Sequence, residues 1–247
     1  MIPIKSKEDL KMLKKSGEIL AEIMQRLKEA VKVGISTHEI DQLAEELARR
    51  KNVLPAFKGY RGFPANICTS INEEVVHGIP NEKRLKEGDI ISLDLGINYK
   101  GYFSDAAITL GLGRIDSRTE KLIDITRNAL AQGIKQARIN NYLSDISYAI
   151  QNYVEGHGFS VVRQFVGHGI GRSLHENPEI PNFGIPHQGE LLKSGMVFAI
   201  EPMVNMGTWE CEILENGWTA VTKDGMPSAH FEHTVAITNN GPEILTN

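Results

Sequence analysis

Residues 89–110 read DIISLDLGINYKGYFSDAAITL. Ile91, Leu93 and Leu95 alternate with Ser92, Asp94 and Gly96, so a strand over 89–97 buries one face and carries Asp94 on the other. A second strand signal covers 102–110, and Asn98 to Gly101 carry the turn chemistry of a hairpin. With the turn centred on Tyr99 and Lys100, Asp94 falls directly opposite Asp105. A bulge at Gly101 would move that register by one residue. Two carboxylates opposed with about 5 Å between their Cβ atoms destabilise a sheet unless a proton or a cation lies between them. The hairpin therefore predicts antiparallel structure and, with it, a metal site.

Further donors lie downstream. Glu201 ends the apolar run Met196, Val197, Phe198, Ala199, Ile200, and Pro202 after it has no N–H for a ladder, so the strand is expected to end there. In Ala229-His230-Phe231-Glu232-His233-Thr234-Val235, alternation puts His230, Glu232 and Thr234 on one face. The glycine-laced stretch Val166-Gly167-His168-Gly169-Ile170-Gly171-Arg172-Ser173-Leu174-His175 adds two histidines without the helical spacing of a His-Glu-x-x-His zinc site. A single carboxylate at a strand end is usually just solvated. Four carboxylates and a histidine in apolar settings need compensation, and their mostly oxygen donors suit a pair of divalent first-row ions bridged by shared carboxylates, as in two-metal hydrolases.

Outward from these segments the chain reads as α+β. Ser6 is an N-cap for a first helix with Leu10, Leu13, Leu20, Met24, Leu27 and Val31 at helical spacing. A second helix starts at Thr37, with Ile40, Leu43, Ala44 and Leu47 facing inward and Arg49, Arg50 and Lys51 at its C-terminal dipole. Residues 52–65 form a loop rich in Gly, Pro and aromatics. Strand signals cover 66–71, helical patterns return at 117–135 and 143–156, and further strands fall near 196–204, 217–222 and 229–237. The order helix, helix, strands thus occurs twice. Leu85-Lys86-Glu87-Gly88 stands before one strand and Leu192-Lys193-Ser194-Gly195 before another, with Asp94 and Glu201 each six residues after the glycine. His-Gly-Ile recurs at His77 and His168. We expect one domain over 1–247, duplicated internally as approximately 1–113 and 114–247.

Composition sets the outer bounds. The chain has 247 residues, 27 Lys+Arg against 31 Asp+Glu, a formal net charge of −4 and 41% hydrophobic residues, which suits a globular protein with a sizeable core. No stretch approaches the roughly 20 apolar residues of a membrane span, and MIPIKSKEDL lacks the features of a signal peptide. A cytoplasmic protein is expected. Two cysteines, Cys68 and Cys211, are too few for a disulfide framework or a structural zinc cluster. The slightly acidic balance, without a Lys/Arg block, argues against nucleic-acid binding.

Over nearly its whole length the chain resembles the type I methionine aminopeptidases of the aminopeptidase/creatinase fold group. The resemblance rests on Ser70-Ile71-Asn72-Glu73-Glu74-Val75-Val76-His77-Gly78-Ile79-Pro80, on Asp94 with Asp105, and on Gly167-His168-Gly169-Ile170-Gly171 with His175. Ala199-Ile200-Glu201-Pro202 and Phe231-Glu232-His233-Thr234 complete it. It implies the pita-bread fold, two pseudo-symmetric α+β halves around a curved, mainly antiparallel sheet. It implies two divalent ions (Co, Mn, Fe or Zn) on Asp94, Asp105, His168, Glu201 and Glu232, with Asp105 and Glu232 bridging. The activity implied is release of N-terminal methionine from nascent polypeptides by a hydroxide held between the ions.

The same resemblance gives His77 a contact with the scissile amide or the residue beyond it. It makes His175 the donor to the substrate carbonyl and lets Glu201, or the bridging Glu232, shuttle a proton to the leaving amine. Phe57, Tyr60, Phe63, Cys68 and Trp218 would line the methionine pocket, and Asn72, Glu74 and Ser228 would surround a monovalent cation. A monomer working near the ribosome is expected. The rival activities are an Xaa-Pro aminopeptidase of the same fold, against which the absence of a further N-terminal domain argues, and a non-catalytic peptide- or ribosome-binding relative, against which the intact ligand set argues.

Overall fold

A computed structural model describes residues 2–247. Four helices carry the apolar periodicity: α1 (Lys7–Ala30), α2 (Thr37–Arg50), α3 (Ser117–Gln136) and α4 (Leu143–Gly156). Their starts follow local chemistry. The Ser6 hydroxyl accepts from the Asp9 N–H while the Asp9 carboxylate accepts from the Ser6 N–H, and Ser36 with Glu39 repeats the arrangement at α2. Asp116 accepts from the N–H groups of Arg118 and Thr119 at α3.

The helices cover one face of a curled nine-stranded sheet in which neighbouring strands run antiparallel. Its path runs Leu54–Pro55, Ile90–Tyr99, Tyr102–Gly111, Glu232–Thr238, Val197–Ile200, Gly167–Gly169, Glu176–Ile180. Cys68–Ile71 pairs with the Ile90–Tyr99 strand, and Gly241–Ile244 with Glu232–Thr238. One apolar core joins α1 and α2 to Ile91, Leu93, Leu95 and Ile97. Another joins α3 and α4 to Phe198, Ile200, Val235 and Ile237. The alternation that sends those residues to the helices turns Asp94 and Gly96 to the opposite face.

The hairpin forms as read, but its register is two residues from the expected one. Tyr99 pairs with Tyr102, so the turn centres on Lys100 and Gly101 and no bulge intervenes. Both central residues have left-handed backbone, φ 53° and 83°, as a type I′ turn requires, and glycine meets that need at the second position. The Asn98 side chain accepts from the Gly101 N–H at 2.7 Å. Asp94 therefore pairs with Ala107 and Asp105 with Gly96. A shift of two preserves the face, so both carboxylates still point the same way.

Two expected strands are each split by a corner. The 196–204 segment becomes Val197–Ile200 and Met203–Asn205, interrupted at Glu201 and Pro202, and the second piece joins a separate three-stranded sheet with Ser228–His230 and Ser160–Val161. The 229–237 segment breaks at Phe231 between that sheet and Glu232–Thr238. Strands change sheets at these points, and Glu201 and Glu232 stand at the corners. The ladder between Tyr102–Gly111 and Glu232–Thr238 covers only Glu232 with Ala107 and His233 with Ala106. Beyond it the Thr234 hydroxyl accepts from the Asp105 N–H at 2.9 Å and donates to the Asp105 carbonyl at 2.8 Å, which closes the seam where the ladder stops.

Candidate metal centre and active site

On the face away from the helices lies a cleft of about 610 Å³ lined by Asp94, Asp105, His168, Glu201 and Glu232, together with His77, His175 and the aromatic residues of the 52–65 loop. Five different strands or strand ends supply the acids and His168. One ligand atom each from Asp105, His168 and Glu232 falls within 4.8 Å of the others, and all three residues are buried. Glu201 joins them, its Oε1 3.6 Å from His168 Nε2. His168 Nδ1 lies 2.9 Å from the Gly169 carbonyl, which engages that nitrogen and leaves Nε2 toward the acids.

The electrostatics of this face are unfavourable without a cation. Burial pushes Asp94 up to about 7, with the charge of Glu201 adding to the effect and His230 opposing it. Burial pushes Glu201 up to about 7 as well. Asp105 and Glu232 stand well above the carboxylate range, first through burial and then because each faces the other acids. Among the described residues Asp94 Oδ1 and Glu232 Oε1 are buried without a hydrogen-bond partner. Buried, unpartnered carboxylate oxygens beside an imidazole nitrogen are what a divalent first-row cation compensates, so the donor set fits such a group.

Around the acids the cleft is apolar and aromatic. Phe63 meets Trp218 edge-on at 5.2 Å and Phe57 at 6.5 Å. Cys68 is buried directly across from Asp94 in the sheet. His175 stacks on Tyr60 at 5.2 Å and lies 4.1 Å from the His168 ring, measured between centroids. Burial holds His175 down to about 3, with the neighbouring His168 contributing next. Burial holds His77 at about 4. Both imidazoles are therefore neutral near pH 7 and can donate a hydrogen bond without carrying charge.

The structure thus brings Phe57, Tyr60, Phe63, Cys68, His77, Asp94, Asp105, His168, His175, Glu201, Trp218 and Glu232 to one cavity. Asn72, Glu74 and Ser228 lie outside its lining. Ser228 donates its N–H to the Asn72 carbonyl at 2.9 Å, the Asn72 side chain is engaged by Asp89 and the Ile90 N–H, and Glu74 accepts from the Ile71 N–H.

Sequence reasoning missed several participants. His230 is 1% exposed, and its Nε2 lies 3.4 Å from Glu201 Oε2 with no hydrogen-bond partner among the described residues. The alternation that placed it beside Glu232 was a usable signal. Phe165 meets His77 edge-on at 5.5 Å, and Arg61 holds its guanidinium 5.4 Å above the Tyr60 ring. Neither has a periodicity that could have placed it here.

Comparison with known proteins bears on this arrangement. A family model described as metallopeptidase family M24 matches residues 11–239. A methionine aminopeptidase of Clostridium perfringens is 53% identical over 246 residues, covering 100% of this chain and 99% of its own. The crystal structure of a methionine aminopeptidase from Thermotoga maritima superposes with a TM-score of 0.98 at 46% identity over 100% of both chains. A prolidase from Pyrococcus horikoshii shares the fold at a TM-score of 0.81 and 23% identity, this chain spanning 63% of its length. The curled sheet with its outer helices is the pita-bread fold. Given a match over the whole chain and a cleft of clustered acids, the protein belongs to metallopeptidase family M24, and within it to the methionine aminopeptidases.

Proposed function

We propose that this chain is a metal-dependent aminopeptidase that removes the N-terminal methionine from peptides and newly made proteins. The observation that carries the reading is the continuity of one cleft: the apolar, polarisable pocket of Phe57, Phe63, Cys68 and Trp218 opens onto the buried acids without an intervening wall. A thioether side chain suits the first and a scissile amide the second. Asp94, Asp105, His168, Glu201 and Glu232 would hold two divalent ions, drawn from Co, Mn, Fe or Zn. Such ions lower the pKa of water and polarise a carbonyl when bound.

The remaining steps fall to the side chains. His175, neutral and held against Tyr60, donates its N–H to the oxygen of the methionyl carbonyl, where negative charge develops in the transition state. His77 binds the amide or the residue beyond it. Glu201 carries a proton to the leaving amine. The pocket holds the methionine side chain and so places the first peptide bond at the acids. Newly made chains at the ribosome are the substrates we infer, with a cytoplasmic monomer as the working form. A monovalent cation beside Asn72, Glu74 and Ser228 belongs to the same reading. Among the described residues no helix is long and apolar enough to cross a membrane.

The test is release of the first residue from Met-Ala-Ser, Leu-Ala-Ser and an Ala-Pro peptide, before and after chelation and with Mn, Fe or Co added back. We expect methionine release that is lost on chelation and restored by metal. Preferred cleavage of the Ala-Pro peptide would favour the Xaa-Pro aminopeptidase instead, and full activity after chelation would remove the metal from the account.

A further inference from the structure

His175 stands at the end of the turn 171–175, and the residue after it, which also borders the cleft, anchors that turn. Glu176 Oε1 accepts from the main-chain N–H of Arg172 at 2.7 Å and of Ser173 at 3.2 Å. Its Oε2 takes the ammonium of Lys5, from the segment ahead of α1. Both side chains are largely buried, 7% exposed for Lys5 and 12% for Glu176. A buried ion pair costs much of its attraction in desolvation, so its presence asks what it holds in place.

The surroundings are built for this pair. A Cβ on Gly171 would meet the end of the Lys5 side chain and Glu176 Oε1, so the pair lies directly against the turn. The Lys5 N–H donates to the Gly195 carbonyl at 2.7 Å, which fixes its main chain. The Phe103 N–H donates to the Gly171 carbonyl at 2.8 Å, tying the turn to the hairpin. On the outer side the Arg172 guanidinium lies 3.7 Å from the centre of the Tyr102 ring and 3.1 Å from Asp9. The turn is therefore clamped by Lys5 and Asp9 from the start of the chain and by Tyr102 of the hairpin.

We propose that Lys5, acting through Glu176, is a positioning residue for His175. With the ammonium on Oε2, the carboxylate keeps its other oxygen on the two turn N–H groups, and the turn keeps the imidazole aimed at the substrate carbonyl. The inference rests on the reading of His175 given above; Lys5 lies outside the cleft lining, and Glu176, which borders the cleft, acts here through the turn.

The metal-loaded enzyme carrying Lys5→Met, Glu176→Gln or Lys5→Arg tests it, each in the wild-type and the His175→Ala background. Lys5→Met should lower kcat about tenfold or more while KM and metal content stay near wild type, since small displacements of a catalytic group have effects of this order. Lys5→Arg should recover most of the loss. In the His175→Ala background Lys5→Met should cost nothing further, because the two act as one unit. Equal losses in both backgrounds, or undiminished kcat, overturn the proposal. If Lys5→Met does not fold, Lys5→Gln removes the charge, leaves a neutral head beside Glu176 and carries the same expectations. Ring NMR signals of His175 and amide exchange at Arg172 and Ser173 decide the matter without activity. They should shift and quicken in Lys5→Met, and unchanged signals overturn the proposal. A wild-type chain that releases no methionine would overturn the functional reading alone, and the ring signals would still decide this one.

Discussion

Asp94 and Asp105 lie diagonally across their hairpin: Asp94 is paired with Ala107, Asp105 with Gly96, and both carboxylates share the face turned away from the helices. Diagonal positions on antiparallel strands are roughly 7–8 Å apart, close enough for the two carboxyls to meet on that face, and after burial the charge of Asp94 is the next cause that pushes Asp105 up. A cation on that face would relieve the crowding of the two carboxyls. Glu201 and Glu232, at the corners where their strands change sheets, close the space from the other side.

The first consequence is a pH dependence of the metal-free protein. Asp94 rises from 3.8 to about 7 in the fold and Glu201 from 4.5 to about 7, both through burial. The folded chain then binds more protons than the unfolded chain between those values. This contribution to stability is fully present below the unfolded values and is lost as pH rises through about 7. The thermal midpoint of chelator-treated protein, measured from about pH 5 to 8, should fall by several degrees relative to the metal-loaded protein. Parallel profiles would mean that the acids are not held protonated when the metal is gone.

His175→Ala should lower kcat by about 10²–10³-fold, the usual effect of removing one donor to a developing oxyanion. Metal content by elemental analysis should be unchanged, because the residue is stacked on Tyr60 beside the acids and its centroid is 4.1 Å from the His168 ring. A matching loss of metal would make it a ligand.

Gly96→Ala reads the pocket from its floor. The new Cβ would meet Phe57 Cε1 at 2.7 Å, Ala56 Cβ at 3.2 Å and Leu174 Cδ1 at 3.3 Å. The Phe57 ring must move into the cleft it lines, narrowing the space for the methionine side chain. KM for a Met-Ala peptide should rise several-fold, about tenfold at most, with a smaller change in kcat, as when ground-state binding is lost. An unchanged KM would place the methionine side chain away from Phe57.

Much of this was legible because local chemistry dictates it. Period-two alternation placed Asp94 opposite the core-facing residues, Pro202 ended a strand at Glu201, and Ser6 opened a helix. The hairpin register was not legible in the same way. Whether Tyr99 and Lys100 or Lys100 and Gly101 form the centre depends on which pair accepts left-handed backbone, and alternation alone tolerates both because they differ by a shift of two. The loop 52–65 has no periodicity, so only its tertiary contacts show that Phe57, Tyr60 and Phe63 face one cavity. The contact between Lys5 and Glu176 spans 171 residues of sequence, and neither residue carries a motif that names the other.

The start of α1 offers a last test with an internal check. The Asp9 carboxyl is held down to about 2, chiefly by the Ser6 hydroxyl and next by the Tyr102 hydroxyl. Its side chain also lies 3.1 Å from Arg172, at the outer edge of the turn that leads to His175. A carboxyl with a lowered folded pKa contributes stability that is present above its unfolded value of 3.8 and is lost as pH falls through about 2. Ser6→Ala removes both the acceptor for the Asp9 N–H and the main cause of the lowered pKa. It should cost about 1 kcal/mol at neutral pH, the usual worth of an N-cap hydroxyl. Because Asp9 becomes protonated in wild type and variant alike at strongly acid pH, the gap between their urea midpoints should narrow as pH falls toward 2. A gap that stays constant would mean that Ser6 acts on the helix backbone alone and that the Asp9 charge draws nothing from it.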